Sequence, residues 1–597
     1  MDLFAQMKMA DFFLKLYRGE LNRLCGYEFT PQKVRTIPDE SREGQLPRAT
    51  PEQQGISSAH IQLFLKELSR RKDVNPHSVL VMRHGKVITQ AHFRPYRADY
   101  PHMLYSLSKT FTATAVGMAI GEGKLSLSDR LVDLFPDKVL PLHHPRLNAV
   151  TVRDLLTMQA GLKFNELGSV MGRDWEKGFL QSEFLHEPGA KFSYNSINSY
   201  MLSAAVKRRT GQGLVEYLTP RLFEPLGIRN VYWEKCPMGL EKGGWGLSLR
   251  IEDAAKLGLL YLQRGTWMVD GVPRQLLPQQ WVAEATRNQL TDLEGAENGY
   301  GYHVWIGEDG NSYHFNGMFG QYVVVFPRYD VVVALFAGSQ NLMPQGGGLE
   351  LIHRFFGSED FYSDVPLPKN VRALRGLVRT MKGLTFQKRE TMPRVSYTPK
   401  GMCRLLSRRL FPEQNPHERL TEAQRRYDGA EYVLQKSFGS LLPLVLQGVH
   451  GNFTGGMEKI RIQNASGCCT LTVWEGGQEN VVRMGTDGAP RYSEIDCNGE
   501  TYMVGSMARW TTDEDDRDVL KAYLSFIETP DTRILKLIFE EDRVLIRFEE
   551  LPSVRDAFEK IGAPPVPQTG GGERVRRKLK QLLQPKTTGE RVDFITH

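Results

Sequence analysis

Ser106-Leu107-Ser108-Lys109 runs directly into Thr110-Phe-Thr-Ala-Thr-Ala-Val-Gly-Met-Ala-Ile120, an apolar stretch long enough for about three helical turns. On a helix, residues three apart share a face, so this spacing predicts that the Lys109 amine lies beside the Ser106 hydroxyl. A serine hydroxyl is a poor nucleophile until a neighbouring base takes its proton. A desolvated lysine can do so, because burial disfavours the charged ammonium. The helix N-terminus favours the negative charge that develops as the hydroxyl attacks a carbonyl. The stretch therefore reads as an activated serine for acyl transfer. Ser69-Arg70-Arg71-Lys72 repeats the spacing, but it closes Ile61–Leu68 in a cluster of three cations and reads as the solvated end of a surface helix.

Two further constellations lie downstream. Pro188-Gly189 is a turn, and Tyr194-Asn195-Ser196 sits in the loop before the helix start Tyr200-Met-Leu-Ser-Ala-Ala-Val206. A tyrosinate beside a lysine ammonium can act as general base for Ser106 and return the proton to the leaving group. Tyr313-His-Phe-Asn-Gly-Met-Phe-Gly-Gln321 leads into two strand-like runs, Tyr322–Phe326 and Val331–Phe336, separated by the turn Pro327-Arg-Tyr-Asp330. Its glycines allow a strand backbone to approach a substrate closely. A backbone N–H there, with that of Ser106, would form an oxyanion hole.

The three boxes, in this order, resemble class C β-lactamases, DD-peptidases and related serine hydrolases. Pro51–Ile56, Thr151–Leu162, Leu222–Ile228 and Gly243-Gly-Trp-Gly-Leu247 also fall in family order, so the resemblance covers roughly residues 45–355. It implies an α/β (α+β) fold with a central antiparallel sheet flanked by helices. It also implies a two-step acyl-enzyme mechanism. Ser106 is the nucleophile, Lys109 and Tyr194 manage the proton, and the Ser106 and Met318 N–H groups hold the oxyanion.

Departures from the family pattern narrow the substrate. Ser196 stands where β-lactamases carry the Asn that contacts a substrate amide, with Asn195 one residue away. Phe315-Asn316-Gly317 replaces Lys-Thr-Gly, removing a cation that would pair with a β-lactam carboxylate. His314 is adjacent, but neighbouring strand residues face opposite ways. These features look more like the carboxylesterase and 6-aminohexanoate-oligomer hydrolase branch, in which aromatic side chains line a broad cleft. On that likeness Asn195, Ser196, Phe315, Asn316, Gly317 and Trp175 are the expected substrate-binding residues, with Trp175 as a cleft wall. The expectation is a hydrolase of a small ester or amide that needs no metal or other cofactor. A β-lactam or D-Ala-peptide hydrolase stays open, as does a protein of this fold that holds an acyl ligand without turnover.

The chain has 597 residues, which requires at least two domains. Residues 1–44 read as an N-terminal helical extension and 45–355 as the hydrolase domain. Residues 356–430 read as a connector with a helical segment. Residues 431–560 read as a mainly antiparallel β domain, and 561–597 as a Pro/Gly linker and basic tail. Within the β domain, Ile534–Phe539 and Val544–Phe548 predict a hairpin, and Met457–Gln463, Cys469–Glu475 and Tyr502–Ala508 predict further strands. That domain is open to three roles: covering the cleft, mediating homodimerisation or binding substrate. Of the net charge of +7, the tail from 573 contributes +4, with seven cations against three carboxylates. The body is thus close to balanced, and no nucleic-acid partner is expected. The N-terminus lacks the apolar core of a signal peptide, and no apolar stretch approaches the roughly 18 residues that would span a bilayer. The six cysteines show no metal spacing, and Cys468-Cys469 are adjacent. A reduced cytoplasm is the expected location.

Overall fold

The computed structural model describes residues 15, 29–33, 35–39, 41, 45–163, 172–308, 310–340, 347–385, 422–437, 439–553 and 585–592. Strands β1 (Pro76–Arg83), β2 (Lys86–His92), β3 (Trp305–Ile306), β4 (Tyr313–Gly317), β5 (Gln321–Phe326) and β6 (Val331–Ala337) form one antiparallel sheet. Its spatial order is β2-β1-β6-β5-β4-β3. Helices α1 (Ser58–Leu68), α2 (Ser108–Gly121), α3 (Ser196–Thr210), α4 (Ile251–Leu262) and α5 (Gly348–Phe356) surround it.

The sheet is buried on both faces, which explains why β1, β5 and β6 carry unbroken apolar runs, Val79–Met82, Tyr322–Phe326 and Val331–Ala337, rather than alternating. Alternate side chains still separate cleanly between two cores. Leu80, Met82, Val323, Val325, Val332 and Ala334 face the side of α2, α3 and α4. Val79, Val81, Val324, Val331, Val333 and Leu335 face α1 and α5. Helix α4 lies so close that a Cβ on Gly258 would come within 2.6 Å of Val323 Cγ1.

Helix α2 is buried around nearly its whole circumference, so its sequence is apolar with little amphipathic contrast. A 3-10 turn, Tyr105–Leu107, precedes it, fed by His102–Met103 at the edge of a small sheet with Leu247–Leu249 and Tyr232–Trp233. Ser69 falls at the C-terminal end of α1, where its hydroxyl donates to Lys66 O (2.8 Å) and Arg70 pairs with Glu67.

The second unit is a β-barrel. Strands β7 (Glu431–Leu434), β8 (Met457–Ala465), β9 (Cys468–Glu475), β10 (Gln478–Gly485), β11 (Arg491–Cys497), β12 (Glu500–Thr512), β13 (Asp518–Phe526), β14 (Thr532–Glu540), β15 (Arg543–Leu551) and β16 (Lys586–Arg591) build one sheet. Its order is β10-β9-β8-β7-β16-β15-β14-β13-β12-β11, and a Gly485–Met507 bridge between β10 and β12 closes it. A continuous apolar core fills it, with Tyr427, Trp510 and Phe539 stacked together.

One expectation is corrected here. Lys586–Arg591, read as part of the basic tail, is a strand hydrogen-bonded to β7 on one side and β15 on the other. Its inward positions are Thr587 and Gly589. Thr587 Oγ1 donates to Gln435 O (2.6 Å), and a Cβ on Gly589 would meet Leu434 Cδ2 at 2.6 Å. Backbone pairing and small side chains hold this strand, so it carries no apolar signature. Of the N-terminal extension, residues 29–33 and 35–39 are non-helical; Gln32, Lys33 and Arg35 bond to Glu500, Glu528 and Glu494 of the barrel, and Asp39 pairs with Arg250 of the first domain. Most of the remaining extension, most of the helical connector segment and the Pro/Gly linker lie outside the described residues.

The barrel reaches the first domain at the approach to Ser106. Met103 N donates to Glu528 O (2.8 Å) from the turn between β13 and β14. A short helix, α6 (Leu444–His450), lays Val445 and Val449 against a cluster of Met103, Tyr105, Met318 and Phe319. Among the described residues, no helix is long and apolar enough to cross a membrane.

Candidate active site

Ser106 lies in the 3-10 turn that leads into α2 and remains partly exposed, whereas Lys109 on the first turn of α2 is 2% exposed. Lys109 Nζ stands 2.8 Å from Ser106 Oγ, 3.0 Å from Ser196 Oγ and 2.9 Å from Gly244 O. A carbonyl only accepts, so one N–H is committed to Gly244, while each hydroxyl can donate or accept. As an ammonium, Lys109 donates to all three oxygens; a neutral amine that kept its bonds to Gly244 O and Ser196 Oγ would turn its lone pair to the Ser106 proton. The Lys109 nitrogen also sits 4.8 Å from the centroid of the Tyr194 ring, bringing the three expected catalytic side chains together.

Helix α3 fixes Tyr194 and its neighbours. Asn195 is the N-cap, and its side-chain oxygen accepts from Ile197 N (2.9 Å). The Tyr194 ring stacks on Trp305 from β3, with centroids 6.0 Å apart, and Phe192 and Tyr300 complete an aromatic patch. Beneath it, His303 is fully buried and shares a hydrogen bond with Ser199 Oγ (2.9 Å). Burial, reinforced by the nearby Lys109 charge, pushes its pKa down to about 3, so it stands as a neutral ring at ordinary pH.

Strand β4 borders the nucleophile. A Cβ on Gly317 would lie 2.1 Å from Leu104 O, so only glycine permits the strand this close to the Tyr105–Leu107 turn. Gln321 donates from Nε2 to Met318 O (3.1 Å) and to Ala337 O (2.7 Å), pinning the β4–β5 turn that carries Met318. Asn316 is half-buried beside it.

Four substrate-binding expectations are corrected. Phe315 is 0% exposed and packs edge-on against Tyr261 with centroids 5.2 Å apart, so its side chain belongs to the core under β4. Trp175 is 1% exposed, stacks on Trp245, meets Tyr200 at a tilt, and donates its indole N–H to Gly172 O, so it is not a cleft wall. The Asn195 side-chain oxygen is engaged in capping α3, and its residue is buried. Ser196 turns toward Lys109 rather than outward. His314 is also buried, on the other face of β4, where burial and His353 lower its pKa to about 3.

Two participants escaped the sequence reading. Gly244 supplies the Lys109 acceptor, and its lack of a side chain is needed because a Cβ would meet Ser196 O at 2.6 Å. Trp305 stacks on Tyr194 from a two-residue strand too short for any periodic signal. The paired glycines in Gly243-Gly-Trp-Gly246 are the trace Gly244 leaves in the sequence.

The chain is similar in sequence to several known proteins. The beta-lactamase family model matches residues 64–351. A 6-aminohexanoate-dimer hydrolase from Paenarthrobacter ureafaciens is 25% identical over 314 residues, covering 48% of this chain and 78% of that protein. A D-aminopeptidase from Brucella anthropi is 32% identical over 173 residues, which span 25% of this chain and 31% of that protein. The solved structure of a family VIII carboxylesterase aligns with a TM-score of 0.41 at 18% identity, covering 56% of this chain and 98% of that one. Over residues 64–351, therefore, the chain matches the beta-lactamase family model and is similar to proteins named as a 6-aminohexanoate-dimer hydrolase and a D-aminopeptidase.

Proposed function

We propose that the protein hydrolyses an ester or amide bond of a small substrate through an acyl-enzyme on Ser106. The observation that carries this reading is the 2.8 Å contact between Lys109 Nζ and Ser106 Oγ at the start of a buried helix. Lys109 draws the proton as Ser106 Oγ bonds to the carbonyl carbon. The Ser106 and Met318 N–H groups stabilise the oxyanion, and the proton passes by way of Lys109 and Tyr194 to the departing alcohol or amine. Water, deprotonated by the same pair, then releases the acid and restores Ser106.

The surroundings favour an uncharged substrate with apolar flanks. Tyr194, Trp305 and Phe192 offer aromatic surface, and Met318 with Val445 and Val449 offers aliphatic surface. Phe315 supplies no cation for a β-lactam or peptide carboxylate, consistent with relatives named as a hydrolase of an aminohexanoate dimer and a carboxylesterase. The test is hydrolysis of short-chain p-nitrophenyl esters and of nitrocefin. Ester turnover without nitrocefin cleavage is expected. Nitrocefin turnover would favour the β-lactamase reading, and a stable adduct without turnover would identify a ligand-holding protein.

A further inference from the structure

The barrel and the hydrolase domain meet in a buried cluster of charges that lies outside the Ser106 site yet connects to it. His450 ends α6. Its Nε2 lies 3.3 Å from Glu234 Oε1 in the hydrolase domain, and its Nδ1 lies 3.7 Å from Glu500 Oε2 on β12. Glu234 Oε2 is 2.5 Å from Lys242 Nζ, which also donates to Val449 O (3.2 Å). All four side chains are under 10% exposed. Glu500 is held further by Tyr502 OH (2.5 Å), Asn452 Nδ2 (3.1 Å) and the Gln32 and Lys33 amides. Two carboxylates and one lysine leave a buried net negative charge unless the imidazole is protonated, and uncompensated buried charge is costly.

Lys242 also begins the turn that holds the catalytic lysine. Gly244 N donates to Lys242 O (2.6 Å), Gly243 O accepts from Thr112 on α2 (2.7 Å), and Gly244 O accepts from Lys109 (2.9 Å). The path from barrel to nucleophile is therefore short and continuous: His450, Glu234, Lys242, the 242–244 turn, Lys109, Ser106. Helix α6 presses on Met318 and Tyr105 from the same direction.

We propose that His450 is a positioning residue contributed by the barrel: as an imidazolium it neutralises Glu234 and Glu500, fixes Lys242, and so keeps the Gly244 carbonyl in place for Lys109. This role rests on the Ser106 acyl-enzyme reading. It makes docking of the barrel, and the rate of the reaction, dependent on pH. The groups facing His450 are Glu234 and Lys242 from the hydrolase domain, Glu500 and Tyr502 from β12, and Asp531 from the turn before β14. Burial opposes its charge, but the two glutamates outweigh burial and raise its pKa above the ordinary value of 6.5. A raised pKa means that the docking contribution is complete below about 6.5 and is lost as pH rises through the docked value. Asp531, lifted by burial to about 7, titrates in the same region and must be separated.

The experiment measures kcat and KM for p-nitrophenyl acetate from pH 6 to 10 in the 597-residue chain and its His450→Gln, His450→Lys and Asp531→Asn variants. Backbone hydrogen exchange at 242–246 and 444–450 is followed in parallel. Expected are an alkaline fall of about tenfold in wild-type kcat with KM within twofold, persisting in D531N. His450→Gln should show that low kcat already at pH 6, and His450→Lys should lose the alkaline fall. Exchange protection at 242–246 should decline over the same pH range in the wild type. Wild-type protection that does not change between pH 6 and 10 would overturn the proposal, as would a folded His450→Gln variant with wild-type kcat and pH profile. Absence of any ester turnover in the wild type would count against the acyl-enzyme reading, while the exchange data would still decide the role of His450.

Discussion

Gly317→Ala tests whether the distance between β4 and the nucleophile turn matters to the chemistry. The added methyl would sit 2.1 Å from Leu104 O and 2.9 Å from Gln321 Cβ. Ordinary close C···O contacts begin at roughly 3.3 Å, so about 1 Å of separation must be created. Leu104 cannot yield easily: it is fully buried, its N–H donates to Leu247 O (2.8 Å), and its carbonyl accepts from Leu107 N (3.2 Å). Strand β4 must therefore move away, carrying Met318 N–H from Ser106 N–H. Losing one oxyanion donor costs about 3 kcal/mol, or roughly a hundredfold in kcat. Overpacking should destabilise the domain by about 1–3 kcal/mol, leaving it folded. The assay is p-nitrophenyl ester hydrolysis with thermal unfolding alongside. Gly178→Ala is the control, because a Cβ there meets nothing within 4 Å. A Gly317→Ala protein that is folded and within threefold of wild-type kcat would refute the reasoning.

Phe315→Ala should lower stability by about 3–5 kcal/mol, the usual cost of truncating a buried Phe, with little change in KM; calorimetry that shows unchanged stability and a large KM shift would return Phe315 to the cleft. Truncation after residue 584 removes β16 and exposes the facing edges of β7 and β15; the barrel should become protease-sensitive, and unchanged proteolysis would contradict the paired strand. Acidification should destabilise the fold between pH 6.5 and about 4. His92 and His102 are lowered to about 4, and His303 and His314 to about 3, chiefly by burial. The unfolded chain therefore binds more protons there, and stability falls as pH falls. His314→Gln should flatten this dependence in thermal melts, and an unchanged slope would argue that His314 is not buried and neutral.

What could be read from the sequence follows the range of the interactions involved. The meeting of Ser106 and Lys109 is a property of one helical turn, so their spacing in the chain announced it. The hairpin Ile534–Phe539/Val544–Phe548 and the runs of β5 and β6 are equally local, and the strands extend over them. Side-chain direction was less accessible. Phe315 and Trp175 are aromatic residues near the site in the chain, but the faces they present are decided by packing partners as distant as Tyr261 and Trp245. Strand β16 is invisible to hydrophobic patterning because its inward residues are Thr and Gly. The His450–Glu234 contact joins residues from separate domains, and nothing local to either signals the other.

The most direct test of the central claim is intact-mass analysis and ester hydrolysis by the wild type and Ser106→Ala side by side. The account predicts turnover of a short-chain p-nitrophenyl ester and a trapped acyl adduct on the Ser106 peptide. Both should disappear in Ser106→Ala while its melting temperature stays within a few degrees. Full activity in Ser106→Ala, or an adduct on another residue, would contradict it.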